Sequence, residues 1–93
     1  MTVPQAEVLV YTAPLCSFCT AAKVLLERKG IVWREIRVDG APELRAEMEA
    51  LSGRRTVPQV FIDGRPVGGY QDLRTLDLAG ELDALLAGRT ASA

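Results

Sequence analysis

Two cysteines stand two residues apart in Cys16-Ser17-Phe18-Cys19, and the 93-residue chain has no third cysteine and no histidine. Thiols at this spacing can act as a redox pair, offer half of a metal site, or close a small disulfide. At the start of a helix, unpaired N–H groups carry partial positive charge and stabilise an anion. Cys16 is then the attacking thiolate, and Cys19, one turn later, the thiol that resolves a mixed disulfide. Residues three apart at a helix start also lie within the Cα separation that a disulfide spans. A structural zinc site needs four ligands, and here only carboxylates could complete the shell within one chain. A cluster bridged between two chains stays open, because each chain can offer one thiolate and an external thiol can complete the shell. A staple is also a poor reading, since the stabilisation from a cross-link grows with the loop it closes and this loop is nearly the smallest possible.

Such a pair needs a strand to deliver it and a helix to receive it. Residues 8–12, VLVYT, read as a buried strand ending at the turn-forming Pro14. The segment from Ser17 to Lys29 has helix formers, with Phe18, Ala21, Ala22 and Leu25 on one face and Gly30 as a stop. Residues 31–38, IVWREIRV, predict a second strand on which Trp33 packs, and VDGAP predicts a turn. Leu44, Met48 and Leu51 recur at helical spacing between Pro42 and Gly53. Asp63-Gly64 between apolar runs predicts a hairpin. From Tyr70 to Ala87 the pattern is helical, with Leu73, Leu76, Leu82, Leu85 and Leu86 inward and a break near Gly80. The order β-α-β-α-β-β-α, with one parallel crossover and one antiparallel hairpin, gives an α/β fold with a four-stranded mixed sheet flanked by helices.

The whole chain, 1–93, reads as one domain with a frayed tail over 88–93. A net charge of −1 gives no footprint for nucleic acid and no polybasic membrane patch. No apolar run approaches the roughly 18 residues of a membrane helix, and MTVPQAEVLVY lacks the pattern of a secretory leader. These features lead us to expect a cytoplasmic protein, where disulfides are mostly transient and catalytic.

Three segments in order, VYTAPLCSFC (10–19), GRRTVPQVFIDG (53–64) and VGGYQDL (67–73), resemble the class I (dithiol) glutaredoxins, in particular the small bacterial ones. The resemblance spans residues 8–86 and implies a thioredoxin-like fold. It implies a glutathione-dependent oxidoreductase acting on disulfide-bonded or glutathionylated proteins, with Cys16 as nucleophile and Cys19 as resolving cysteine. Pro58 matches the family's cis-proline, which would set the Val57 backbone beside the thiols. Thr56 and Val57 match the segment that pairs with the extended glutathione backbone. Gly68 and Gly69 match the pair that lets the ligand approach. Tyr70 and Gln71 offer helix-start N–H groups to the γ-glutamyl carboxylate, and Asp72 matches the acceptor for the γ-glutamyl amine. Arg45 matches a position that serves the glycyl carboxylate, and Phe18 supplies the aromatic ring of the motif. Arg54 and Arg55 read as a solvated basic edge that can steer an anion.

Two departures stand out. Ala13 occupies a position where the family usually has lysine, which removes a charge from the glycyl end. Ser17 and Phe18 replace the commoner proline and tyrosine, and serine at this position resembles members that hold a 2Fe-2S cluster between two subunits with glutathione. The resemblance thus implies a monomer, or a cluster-bridged dimer with Cys16 as ligand. A redoxin fed by thioredoxin reductase is the other alternative.

Overall fold

The computed structural model describes residues 5–88, and all but Gly88 of the tail expected over 88–93 lies outside the described residues. The first strand, β1, runs Val8–Thr12 and alternates its side chains between two faces. Val8 and Val10 enter one apolar cluster, Leu9 and Tyr11 the other. Helix α1 (Ser17–Arg28) follows and ends at Lys29, with Gly30 in the left-handed region. Strand β2 (Arg34–Arg37) pairs parallel with β1, placing Leu9 opposite Arg34. Helix α2 (Pro42–Ser52) starts on proline and closes on Gly53 at φ 74°.

Strand β3 (Gln59–Ile62) lies antiparallel to β1, and β4 (Arg65–Gly68) returns beside it. The Asp63-Gly64 turn between them has φ of 51° and 78°, the left-handed geometry that two-residue hairpins require. Helix α3 (Tyr70–Leu78) and the short α4 (Leu82–Leu86) are separated at Gly80, φ 76°. The break falls where the sequence places it. The sheet order is β2-β1-β3-β4.

The alternation along β1 and β3 divides the core by face. Val8, Val10, Val60 and Ile62 pack with Ala22 and Leu26 of α1, Leu73 of α3 and Leu82 and Leu86 of α4. Tyr11 and Phe61 meet Met48 of α2 and Val38, just after β2, on the other face, with the two rings edge to face at 5.4 Å. The Ala6 N–H donates to the Leu86 carbonyl at 2.8 Å and ties the beginning of this layer to its end. This is the four-stranded mixed sheet with flanking helices expected from the residue pattern.

Three local expectations are corrected. The second strand covers 34–37 rather than 31–38. The Gln5 side chain accepts from the Val32 N–H at 3.0 Å and donates to the Val32 carbonyl at 2.8 Å, so a side chain takes the backbone groups that a ladder would use. Trp33 accordingly packs just ahead of the strand, partly buried against the α1–α3–α4 layer. On α1 the fully buried stripe is Cys19, Ala22 and Leu26, while Phe18 is 54% exposed. On α2 Met48 is buried and Leu44 half-buried, but Leu51 in the last turn is exposed and lies outside the apolar cluster.

A candidate dithiol active site

The β1–α1 turn positions the thiols. Leu15 takes a left-handed φ of 56°, uncommon for a residue with a Cβ, and its side chain is wholly exposed. Cys16 then caps α1 in extended geometry and uses its own sulfur as the cap acceptor, with the Cys19 N–H donating to Sγ at 3.2 Å. A sulfur that accepts an N–H at a helix start is held where negative charge is favoured. Its other contact is the Val57 carbonyl at 3.7 Å, in the Val57–Pro58 segment, whose peptide bond is cis. Cys16 is half-exposed, Cys19 only 2% exposed, and both are free thiols. Burial, followed by the contact with Cys16, pushes the Cys19 thiol up to about 11. Cys16 is therefore open to attack a substrate, and Cys19 keeps its proton until a partner sulfur is brought to it.

Beside the thiols lies a groove of about 290 Å³. It brings together eight of the sequence-predicted residues from three segments: Phe18 of α1, then Thr56, Val57 and Pro58, then Gly69, Tyr70, Gln71 and Asp72 at the start of α3. Phe18 and Tyr70 stack across it with centroids 6.0 Å apart and planes at 21°. That stacking explains why Phe18 faces outward on α1. A larger cavity of about 560 Å³ lies between α1 and α3, bounded by Val24, Arg28, Arg74 and Leu78 among others, but Val57, whose carbonyl Cys16 contacts, lines only the smaller groove of the two.

Asp72 is the most highly connected side chain of the groove. Its Oδ2 accepts from the Gly69 N–H at 2.9 Å and from Arg54 Nη1 at 2.8 Å. The Arg54 guanidinium, with help from that N–H and against the effect of burial, holds the Asp72 carboxyl below the usual carboxylate range. Gly68 has φ +118°, and a Cβ there would overlap the carboxylate, coming within 2.7 Å of Asp72 Cγ. The space Gly68 leaves is thus filled by Asp72. Gly69, whose Cβ would meet the Pro58 carbonyl at 3.4 Å, supplies the closeness to the cis-proline segment.

Arg45 is not brought into the groove, and its Nη1 donates to the Arg55 carbonyl at 3.0 Å. Arg55 pairs with Glu49 at 3.5 Å, while Arg54 turns inward and lines the groove. The reading of both arginines as one basic edge therefore splits into an outer and an inner residue. Gln59 was not anticipated at all. It is 1% exposed, and its Nε2 donates to the Thr56 carbonyl at 3.0 Å and to Thr56 Oγ1 at 3.3 Å, bracing the groove segment from the sheet side. Its position directly after Thr-Val-Pro was the available signal. Among the described residues no three His, Cys, Asp or Glu side chains gather to hold a metal.

The glutaredoxin family model matches residues 8–67, with the thiols, the cis-proline segment and most of the sheet inside the match. The chain belongs to the glutaredoxin family. It is 51% identical over 80 residues to a glutaredoxin of Pseudomonas aeruginosa, covering 86% of this chain and 95% of that one. Among solved structures it resembles a glutaredoxin of Brucella melitensis, at TM-score 0.79 and 47% identity, covering 92% and 95% of the two chains. It also resembles a buckwheat glutaredoxin solved as a glutathione complex, at TM-score 0.82 and 27% identity, covering 92% and 83%. The sheet order and helix placement of this glutaredoxin are those of the thioredoxin-like fold, and its chemistry is that of a thiol–disulfide oxidoreductase.

Proposed function

We propose that the chain reduces glutathione mixed disulfides and protein disulfides through Cys16 and Cys19, with glutathione as the electron donor. The observation that carries this is the half-exposed Cys16 sulfur, held by the Cys19 N–H, at the edge of a groove that ends in Asp72 and the open N–H groups of α3. In the first reaction the Cys16 thiolate attacks the glutathionyl sulfur of a mixed disulfide. The Cys16–glutathione disulfide forms, and the substrate thiolate leaves and takes up a proton. A second glutathione thiolate attacks that glutathionyl sulfur, releasing oxidised glutathione and the Cys16 thiolate.

With a protein disulfide, Cys16 instead forms a mixed disulfide to one substrate sulfur. Cys19 loses its proton and attacks the Cys16 sulfur, which frees the reduced substrate and leaves a Cys16–Cys19 disulfide for two glutathiones to reduce. The backbone of Thr56 and Val57 suits an extended glutathione peptide, and the helix-start N–H groups with Asp72 suit its γ-glutamyl end. A reducing compartment such as the cytoplasm, with its glutathione pool, is the setting this cycle requires.

Reduction of a β-hydroxyethyl disulfide tests the reading, coupled in parallel to glutathione reductase and to thioredoxin reductase. We expect turnover with glutathione and its complete loss in Cys16→Ser. Turnover only with thioredoxin reductase would overturn it. A glutathione-ligated 2Fe-2S dimer draws on the same half-exposed thiol, because Cys19 is too buried to serve as a second ligand. Visible absorption after anaerobic reconstitution, lost in Cys16→Ser, is its signature.

A further inference from the structure

Two charged side chains line the groove, Arg54 and Asp72, and they meet at 2.8 Å. The complement of a cation and an anion held side by side is a ligand that presents an anion and a cation on neighbouring atoms. An α-amino-acid head group does this, with its carboxylate and ammonium on one carbon. We propose that Arg54 is a specificity-determining residue: it takes the α-carboxylate of the thiol ligand while Asp72 takes the α-ammonium. Ionic recognition is then concentrated at this end of the groove. The proposal rests on the glutathione reading, in which the γ-linked glutamyl residue is the part carrying a free α-amino-acid head.

The hydrogen bonds leave room for both contacts. Asp72 commits Oδ2 to Gly69 and Arg54, while Oδ1 accepts from no other residue among those described. Among the described residues Arg54 commits Nη1 alone, and a guanidinium carries five N–H donors in a planar fork suited to a carboxylate. Its side chain is 52% exposed, so a ligand oxygen can reach the remaining donors. The first N–H groups of α3, at Tyr70 and Gln71, have no partner within the helix and face the same lining. Removing Arg54 leaves the Asp72 carboxylate without its counter-charge and the ligand carboxylate with backbone donors only.

The rest of the lining has no ionic group to match a carboxylate elsewhere on the ligand. Arg45 and Arg55 are engaged outside the groove, at the Arg55 carbonyl and at Glu49, and residue 13 is an alanine. The geometry therefore assigns the γ-glutamyl head a larger share of recognition than the glycyl carboxylate.

The test uses one peptide joined by a mixed disulfide to each of four thiols. These are glutathione, its glutaryl analogue lacking the ammonium, its 4-aminobutyryl analogue lacking the α-carboxylate, and γ-glutamylcysteine lacking glycine. With the wild-type chain, loss of either head charge should raise KM about fivefold, and loss of glycine no more than about twofold. Arg54→Ala should raise KM for the complete ligand about fivefold and penalise the 4-aminobutyryl analogue much less than the wild type does, the α3 N–H groups alone then serving the carboxylate, while still penalising the glutaryl one. Arg54→Lys should recover part of the loss, and melting curves of both variants separate binding effects from unfolding.

An Arg54→Ala variant that penalises the missing α-carboxylate as strongly as the wild type does overturns the assignment. So does a wild type for which glycine matters more than the head. A wild type that turns over none of the four overturns the glutathione reading together with this one, whereas normal wild-type turnover matched by Arg54→Ala sinks the Arg54 role alone.

Discussion

The two ends of the groove are built on opposite plans. At the thiol end, Cys16 makes few contacts, to the Cys19 N–H and thiol and to the Val57 carbonyl, and stays half-exposed. At the other end, Asp72 is fixed by a helix-start N–H, by a guanidinium and by the glycine space behind it. Reactivity thus comes from local backbone geometry within one turn of helix. Recognition comes from side chains delivered by segments 18 residues apart. The first kind of site is written into a four-residue motif, and the second exists only once the sheet has closed.

The contrast is broken most sharply at the thiols. Cys19→Ser should keep turnover of glutathione mixed disulfides, which need only Cys16, and lose reduction of protein disulfides, which need both sulfurs. The buried proton of Cys19 also has a stability signature. Its thiol ionises near 9.0 as a free group and near 11 in the fold, so the unfolded chain gives up the proton first. This contribution is intact below pH 9 and is lost as pH rises through about 11, which urea titrations across that range should detect. Cys19→Ala should flatten the dependence.

At the other end, Gly68→Ala combines an unfavourable φ with overlap of the Asp72 carboxylate. A loss of about 2 kcal/mol or more is expected, visible as a fall in Tm exceeding about 5 °C, together with a raised KM for glutathionylated substrate. A variant that melts like the wild type would show that Asp72 can move aside without consequence. The smallest effect is reserved for Ala13→Lys, which adds a charge the groove lacks. It should lower KM for the glutathione adduct by about 1.4- to fivefold, an exposed ionic contact contributing about 0.2–1 kcal/mol. An unchanged KM would mean that the glycyl end gains nothing from a cation.

How much could be read from residues alone follows the same division. The thiol turn, the Asp63-Gly64 hairpin and the break at Gly80 depend on neighbours in the chain, and each lies where its local signal places it. Of the residues the family resemblance named for the ligand, eight converge in the groove, while Arg45 stays outside it. What was missed is tertiary. Nothing near Val32 announces that Gln5, 27 residues earlier, will take its backbone groups and shorten a strand. The apolar face of α1 admits two phases, and the stacking of Phe18 on Tyr70 decides between them. Arg54 and Arg55 are identical in type and adjacent, yet one turns to Asp72 and the other to Glu49. Gln59 carries no sign of its task until Thr56 is seen above it.

The bond from the Ala6 N–H to the Leu86 carbonyl has a wider consequence. It brings residues 80 positions apart within 2.8 Å and makes the described backbone close to a ring. A short linker could then join the two ends and new termini be opened at an exposed turn such as Asp39-Gly40, far from both cysteines in the chain. Such a permuted chain would keep every contact of the groove while reversing the order in which its two ends are synthesised.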